Sequence, residues 1–146
     1  MPGIIVGVDG SGHSQRALEW AMKEAAIRHT QLTVLTVDEA NRGFFGGTAI
    51  DPEAAARTKQ AREAAQAETD KVLARLDGPH PELVTVKAVH GFPVEELISA
   101  SQDADMIVLG SRGAGGFTRL LMGSTAGQVS HHAHCPVLIV PPEDRG

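Results

Sequence analysis

The chain has 146 residues, 42% hydrophobic and 21% charged, with a net charge of −5, a balance that suits one globular domain over 1–146 with a full core. The acidic balance argues against a nucleic-acid partner, because phosphate backbones demand a basic face. A single cysteine, Cys135, allows no intramolecular disulfide, and no apolar run suits a signal peptide or a membrane span; a soluble cytoplasmic protein with no membrane partner is expected.

In chain order, Ile4–Asp9 is a short apolar run rich in β-branched residues and reads as a buried parallel strand. Ser14–Arg28 reads as a helix with Ala17, Leu18, Ala21 and Ala25 on one face. Ser11 or Ser14 is its expected N-cap, and Trp20 is expected to pack beside the stripe. Leu32–Val37 is a second buried strand, followed by a glycine-containing loop, Asn41–Asp51, with Phe44 and Phe45. Pro52–Leu76 is an alanine-rich helix whose stripe is Ala61, Ala65, Val72, Leu73 and Leu76, ended by Gly78-Pro79. Its charges from Arg57 to Arg75 alternate in sign and suit a solvated face.

Leu83–Val89 alternates apolar and polar residues, as a half-exposed edge strand does. Pro93–Ser101 opens with proline near its first turn and buries Val94, Leu97 and Ile98. Asp105–Gly110 and Pro136–Val140 are further buried strands, with the helix Ser124–His134 between them. The strict β-α alternation predicts an open five-stranded parallel sheet with helices on both faces, a Rossmann-like α/β fold. Right-handed crossovers and the edge character of the third strand give the spatial order 3-2-1-4-5. The topological switch then falls between strands one and four, where open α/β sheets bind ligands.

The most informative stretch leaves the fourth strand: Gly110-Ser-Arg-Gly113, nine residues, then Gly123-Ser124-Thr125 opening a helix. Glycines after a strand let the main chain approach a ligand closely. A helix start with Ser and Thr offers free amides, two hydroxyls and the positive end of the dipole. Arg112 and Arg119 lie in this stretch and no acidic residue does, a bias that suits phosphate. The plain alternative is a loop and an ordinary N-cap, and the residues alone leave the two readings evenly matched.

Gly-x2-Gly-x9-Gly-Ser, matched by Gly110, Gly113, Gly123 and Ser124, resembles the nucleotide-binding signature of ATP-binding universal stress proteins. Ile4-Ile-Val-Gly-Val-Asp9-Gly-Ser11 is similar to the opening strand of that family, Val34-Leu-Thr-Val37 to its second strand and His131 to Val140 to its closing segment, so the resemblance covers essentially the whole chain. It implies an adenine nucleotide α-hydrolase-like fold and an ATP cofactor. Asp9 would stand near the ribose and adenine, and the main chain of Val37 at the adenine. Gly110, Arg112 and Gly113 would line the ribose–phosphate path, with Gly123, Ser124 and Thr125 around the phosphates. Magnesium is a candidate companion of the phosphates, with no ligating residue identified. The family's habit of dimerising through its last strand suits an apolar edge at Pro136–Val140 (136–140), and a homodimer follows; Leu138→Pro is expected to yield monomer.

Rival readings are weaker. No Lys precedes Ser124, as a Walker loop requires. A dinucleotide site finds Gly10-Ser-Gly12 after strand one and Asp38 as a ribose-binding acid, but its third fingerprint position is Gln15. His131, His132, His134 and Cys135 suggest a metal, yet no second ligand cluster accompanies them, and Cys135 reads as a small buried residue. The glycine loop carries no carboxylate or histidine to orient an attacking group, so no catalytic residue is assigned and at most weak ATP hydrolysis is expected. The expected function is an ATP-dependent stress-response and regulatory module. The alternatives are a slow ATPase with the 41–51 loop as lid and an interaction protein indifferent to nucleotide.

Overall fold

In the computed structural model, residues 3–10, 12–39, 53–111 and 124–141 are described. The elements run β1 (Ile4–Val8), α1 (Gly12–Ile27), β2 (Leu32–Glu39), α2 (Ala54–Arg75), β3 (Val84–Gly91), α3 (Pro93–Ser101), β4 (Met106–Gly110), α4 (Ser124–His132) and β5 (Val137–Val140). The five strands form one parallel sheet in the order β3-β2-β1-β4-β5. Both the alternation and the strand order agree with the sequence reading.

Side chains alternate across a strand, and here that alternation sorts the core into two layers. Ile4, Val6 and Val8 of β1, with Leu32 and Val34 of β2 and Val108 of β4, face α1 and α2, where they meet Leu18, Met22, Ala65 and Val72. Leu35, Ile107 and Leu109 face the other way, toward Leu97 of α3 and Ala126 and Val129 of α4. Leu18 and Met22 are fully buried, so truncating either to alanine costs about 2–5 kcal/mol. Gly7 serves the second layer: a Cβ there would stand 2.7 Å from Leu109 Cδ2 and 3.3 Å from Leu97 Cδ2, space that those leucines occupy.

Three local expectations differ from the structure. Trp20 is 45% exposed, because at 100° per residue it lies about 130° around α1 from the centre of the buried stripe. β2 continues to Glu39 rather than stopping at Val37, since β3 pairs with it as far as Glu39↔Gly91. In α2, Thr69 joins Ala65, Val72 and Leu76 in the buried stripe. A buried hydroxyl needs a partner, and Thr69 Oγ1 donates to the Ala65 carbonyl at 2.7 Å. The helix ends at Arg75, and Gly78 takes a φ of +92° just beyond. Among the described residues, no helix is long and apolar enough to cross a membrane.

Candidate nucleotide site

The crossover helices change face between β3 and β4, so the chain winds one way from β1 through β2 to β3 and the other way from β4 to β5. The reversal makes β1 and β4 neighbours, and at such a switch point the carboxyl ends of the two strands border a crevice in open α/β sheets. Their ladder covers Ile4–Val6 against Met106–Val108. Val8 and Gly110 lie two residues past the last pair, at the carboxyl ends of the two strands.

Each side of that crevice follows from local rules. On the β1 side, Val8 is buried and Asp9 is exposed. The Asp9 amide donates to Ser14 Oγ at 3.4 Å, which holds the strand end against the first turn of α1. Gly10 makes the turn at φ +83°, a left-handed conformation that side chains resist. A Cβ built there meets none of the described residues within 4 Å. On the β4 side, Gly110 is in register with Val140, and the Ser111 amide donates to the Val140 carbonyl at 2.9 Å. Arg16 Nε of α1 donates to the Pro141 carbonyl at 2.8 Å, tying α1 to the exit of β5.

β2 supplies the third wall. In a parallel ladder, alternate residues turn their N–H and C=O to opposite neighbours. Ile4 donates to Gln31, and Leu32 donates to Leu83. Odd-numbered residues of β2 therefore face β1 and even-numbered ones face β3. The last β1 pair is Val8↔Thr36, so the Val37 amide serves Val8, and the Val37 carbonyl points into the crevice beyond it. The Val37 side chain packs into the α3–α4 layer.

The structure thus brings Asp9, Val37 and Gly110 to the carboxyl edges of three adjacent strands. Ser124 and Thr125 open α4, exposed and half-buried respectively, on a helix that packs against α3 and β5. Arg112, Gly113 and Gly123 lie outside the described residues, as does the 41–51 loop.

Asp38 corrects the dinucleotide reading. Its side chain points to the face opposite that of Val37 and is only 15% exposed. Oδ2 lies 2.9 Å from His90 Nδ1 and accepts from Thr58 Oγ1 at 3.3 Å, while Oδ1 is 3.7 Å from Arg57 Nε. A carboxylate so engaged with β3 and α2 is not presented to a ribose. The sequence reading missed this cluster, although setting the alternating strand 83–89 beside β2 places His90 opposite Asp38.

At the far end of α4, the helix stops at His132, and the His131 and His132 rings meet edge to face at 4.7 Å. The His134 amide, past the helix, donates to Ser101 Oγ at 2.9 Å. Among the described residues, no three His, Cys, Asp or Glu side chains converge as metal ligands would. Cys135 is half-buried rather than buried. Burial raises its thiol above the ordinary value, the Asp105 charge adds to this, and a backbone hydrogen bond with Ile107 opposes it. Less thiolate at neutral pH makes for a weaker nucleophile.

The sequence matches the Universal stress protein family over residues 2–141. The chain belongs to that family. Universal stress protein Rv1996 of Mycobacterium tuberculosis is 32% identical over 155 residues, covering 98% of this chain and 49% of its own length. The chain spans about half the length of the curated relatives it matches. Among solved structures, universal stress protein UspA from Lactobacillus plantarum superposes with a TM-score of 0.76 at 23% identity, over 95% of this chain and 97% of that one. The universal stress protein from Archaeoglobus fulgidus in complex with dAMP gives a TM-score of 0.58 at 25% identity, over 95% and 97%.

Proposed function

We propose that the chain binds ATP, one molecule per chain, in the crevice between β1 and β4, and that the bound nucleotide changes its shape or assembly. The observation that carries this reading is the glycine signature Gly110-x2-Gly113-x9-Gly123-Ser124, which starts where β4 ends, at the switch point of the sheet. The family assignment and the dAMP bound to the Archaeoglobus fulgidus relative support an adenine nucleotide. In this reading the Val37 carbonyl accepts from the exocyclic amine of adenine, and Asp9 holds the ribose. Gly110, Arg112 and Gly113 follow the sugar–phosphate path. Gly123, Ser124 and Thr125 meet the phosphates with amides, hydroxyls and the helix dipole. Magnesium, when bound, neutralises phosphate charge.

Nothing in this set activates water, so the module holds ATP far better than it cleaves it. We read it as a cytoplasmic regulatory component that pairs with a second copy through β5. Denaturing the purified protein and identifying any released nucleotide comes first, followed by calorimetric titration of the stripped protein with ATP, with and without magnesium. Saturable binding near one ATP per chain, lost in Gly113→Val, upholds the site. No binding in either buffer overturns it and leaves the nucleotide-indifferent interaction protein as the function. Steady ADP release well above background instead identifies the slow ATPase.

A further inference from the structure

The β1 ladder ends at Thr36, and its last bond is that of the Val37 amide to Val8; beyond it, among the described residues, Val37, Asp38 and Glu39 are in register with Val89, His90 and Gly91 of β3 alone. From the Val37 carbonyl onward the strand end is held from the β3 side, and a main-chain acceptor that twists or shifts loses directional value. Asp38 is placed to prevent this. Its backbone faces β3, while its carboxylate spans His90 on β3 and Arg57 and Thr58 at the start of α2. The Thr58 hydroxyl also donates to the Ala54 carbonyl at 2.9 Å, so its one proton is shared between that carbonyl and Asp38 and links the start of the helix to β2. The neighbouring residue, Val37, carries the carbonyl that points into the crevice. Two residues of one strand thus divide the work, one presenting the acceptor and the other fixing it from the opposite face.

We propose that Asp38 is a positioning residue for base selection: braced by His90, Thr58 and Arg57, it fixes the Val37 carbonyl as the acceptor that selects a 6-aminopurine over a 6-oxopurine. A carbonyl held in place accepts from an amine and repels a second carbonyl, whereas a mobile one yields to either. The inference rests on the nucleotide reading above. It adds the means by which the base is recognised and assigns it to residues that do not touch the nucleotide.

The test titrates ATP and ITP, which differ in the group at purine position 6 and in the proton that the 6-oxopurine carries on N1, against the full stripped chain and three variants. The wild-type chain is expected to prefer ATP by at least about tenfold, a ratio that one well-made hydrogen bond supports. Asp38→Ala should bring the ratio to about two, mainly by weakening ATP. His90→Gln, which keeps a donor toward Asp38, should retain most of the preference, and His90→Ala should fall between. His90 lies on the edge strand, so its variants remain informative if Asp38→Ala folds poorly. An unchanged ATP/ITP ratio in Asp38→Ala or in His90→Ala overturns the proposal, as does equal loss of ATP and ITP affinity, which marks a purely structural role. Failure of the wild-type chain to bind ATP at all is the separate result that overturns the nucleotide reading.

Discussion

Gly10 shows how one residue commits a local geometry. Its φ of +83° lies in the region that costs a residue with a Cβ about 1–2 kcal/mol, and among the described residues no steric clash at the Cβ position adds to this. Gly10→Ala is therefore expected to destabilise the fold by about 1 kcal/mol in urea unfolding, with the slope of the transition unchanged. A neutral result would mean that the turn relaxes to negative φ. The same backbone form could be anticipated from the sequence, since an Asp-Gly pair after a strand marks a turn. The partner of Arg16, 125 residues away, could not, and His90, 52 residues from Asp38, is found only once the strand order sets β3 beside β2. Long-range polar pairing leaves no periodic trace along the chain, and Asp38 there looks like any acid at the end of a strand.

At the scale of elements, Ser101 and β5 carry the sharper consequences. Ser101 is buried at the end of α3, where its hydroxyl donates to the Ile98 carbonyl at 2.6 Å and accepts from the His134 amide. It joins α3 to the connection that follows α4. Ser101→Ala leaves the His134 amide without that acceptor and should cost about 1–2 kcal/mol by chemical denaturation; a cost near zero would show that water replaces the hydroxyl. In β5, Ile107 donates to Pro136 and Ser111 donates to Val140, so the even-numbered residues face β4. The amide of Leu138 is thus an internal ladder donor, and Leu138→Pro would damage the sheet itself. Val137 and Ile139 turn their main chain outward, where a second copy would pair. Ile139→Pro is the cleaner variant: sedimentation should report a folded monomer, and a persistent dimer would reject β5 as the interface.

The element order and strand order could be read from the sequence because buried parallel strands are continuous apolar runs and right-handed crossovers leave few arrangements. Helix starts were less legible. α1 begins at Gly12 and α2 at Ala54, and Glu53 caps α2 without a side-chain hydrogen bond, so the usual Ser, Thr or Asn marker is missing there.

For the whole molecule, binding and folding are linked. A ligand that binds only the native state at about 100 times its Kd adds about 2.7 kcal/mol, which for a chain of this size raises Tm by about 5–10 °C. ATP at saturation should produce that shift, and ITP at the same concentration a smaller one. Equal shifts would assign the stabilisation to the phosphates alone.

The parallel sheet also decides where attachments to the protein emerge. Every strand runs the same way, so Gly3 and Pro141 stand on opposite rims, separated by the length of β1, about 16 Å. A fluorophore or affinity handle joined beyond Pro141 leaves from the crevice rim, held there by Arg16, and is placed to report on the ligand or to obstruct it. One joined ahead of Gly3 leaves from the far rim and leaves the crevice undisturbed. Joining two copies in tandem likewise requires a tether that descends the full height of the sheet before the second β1 can begin.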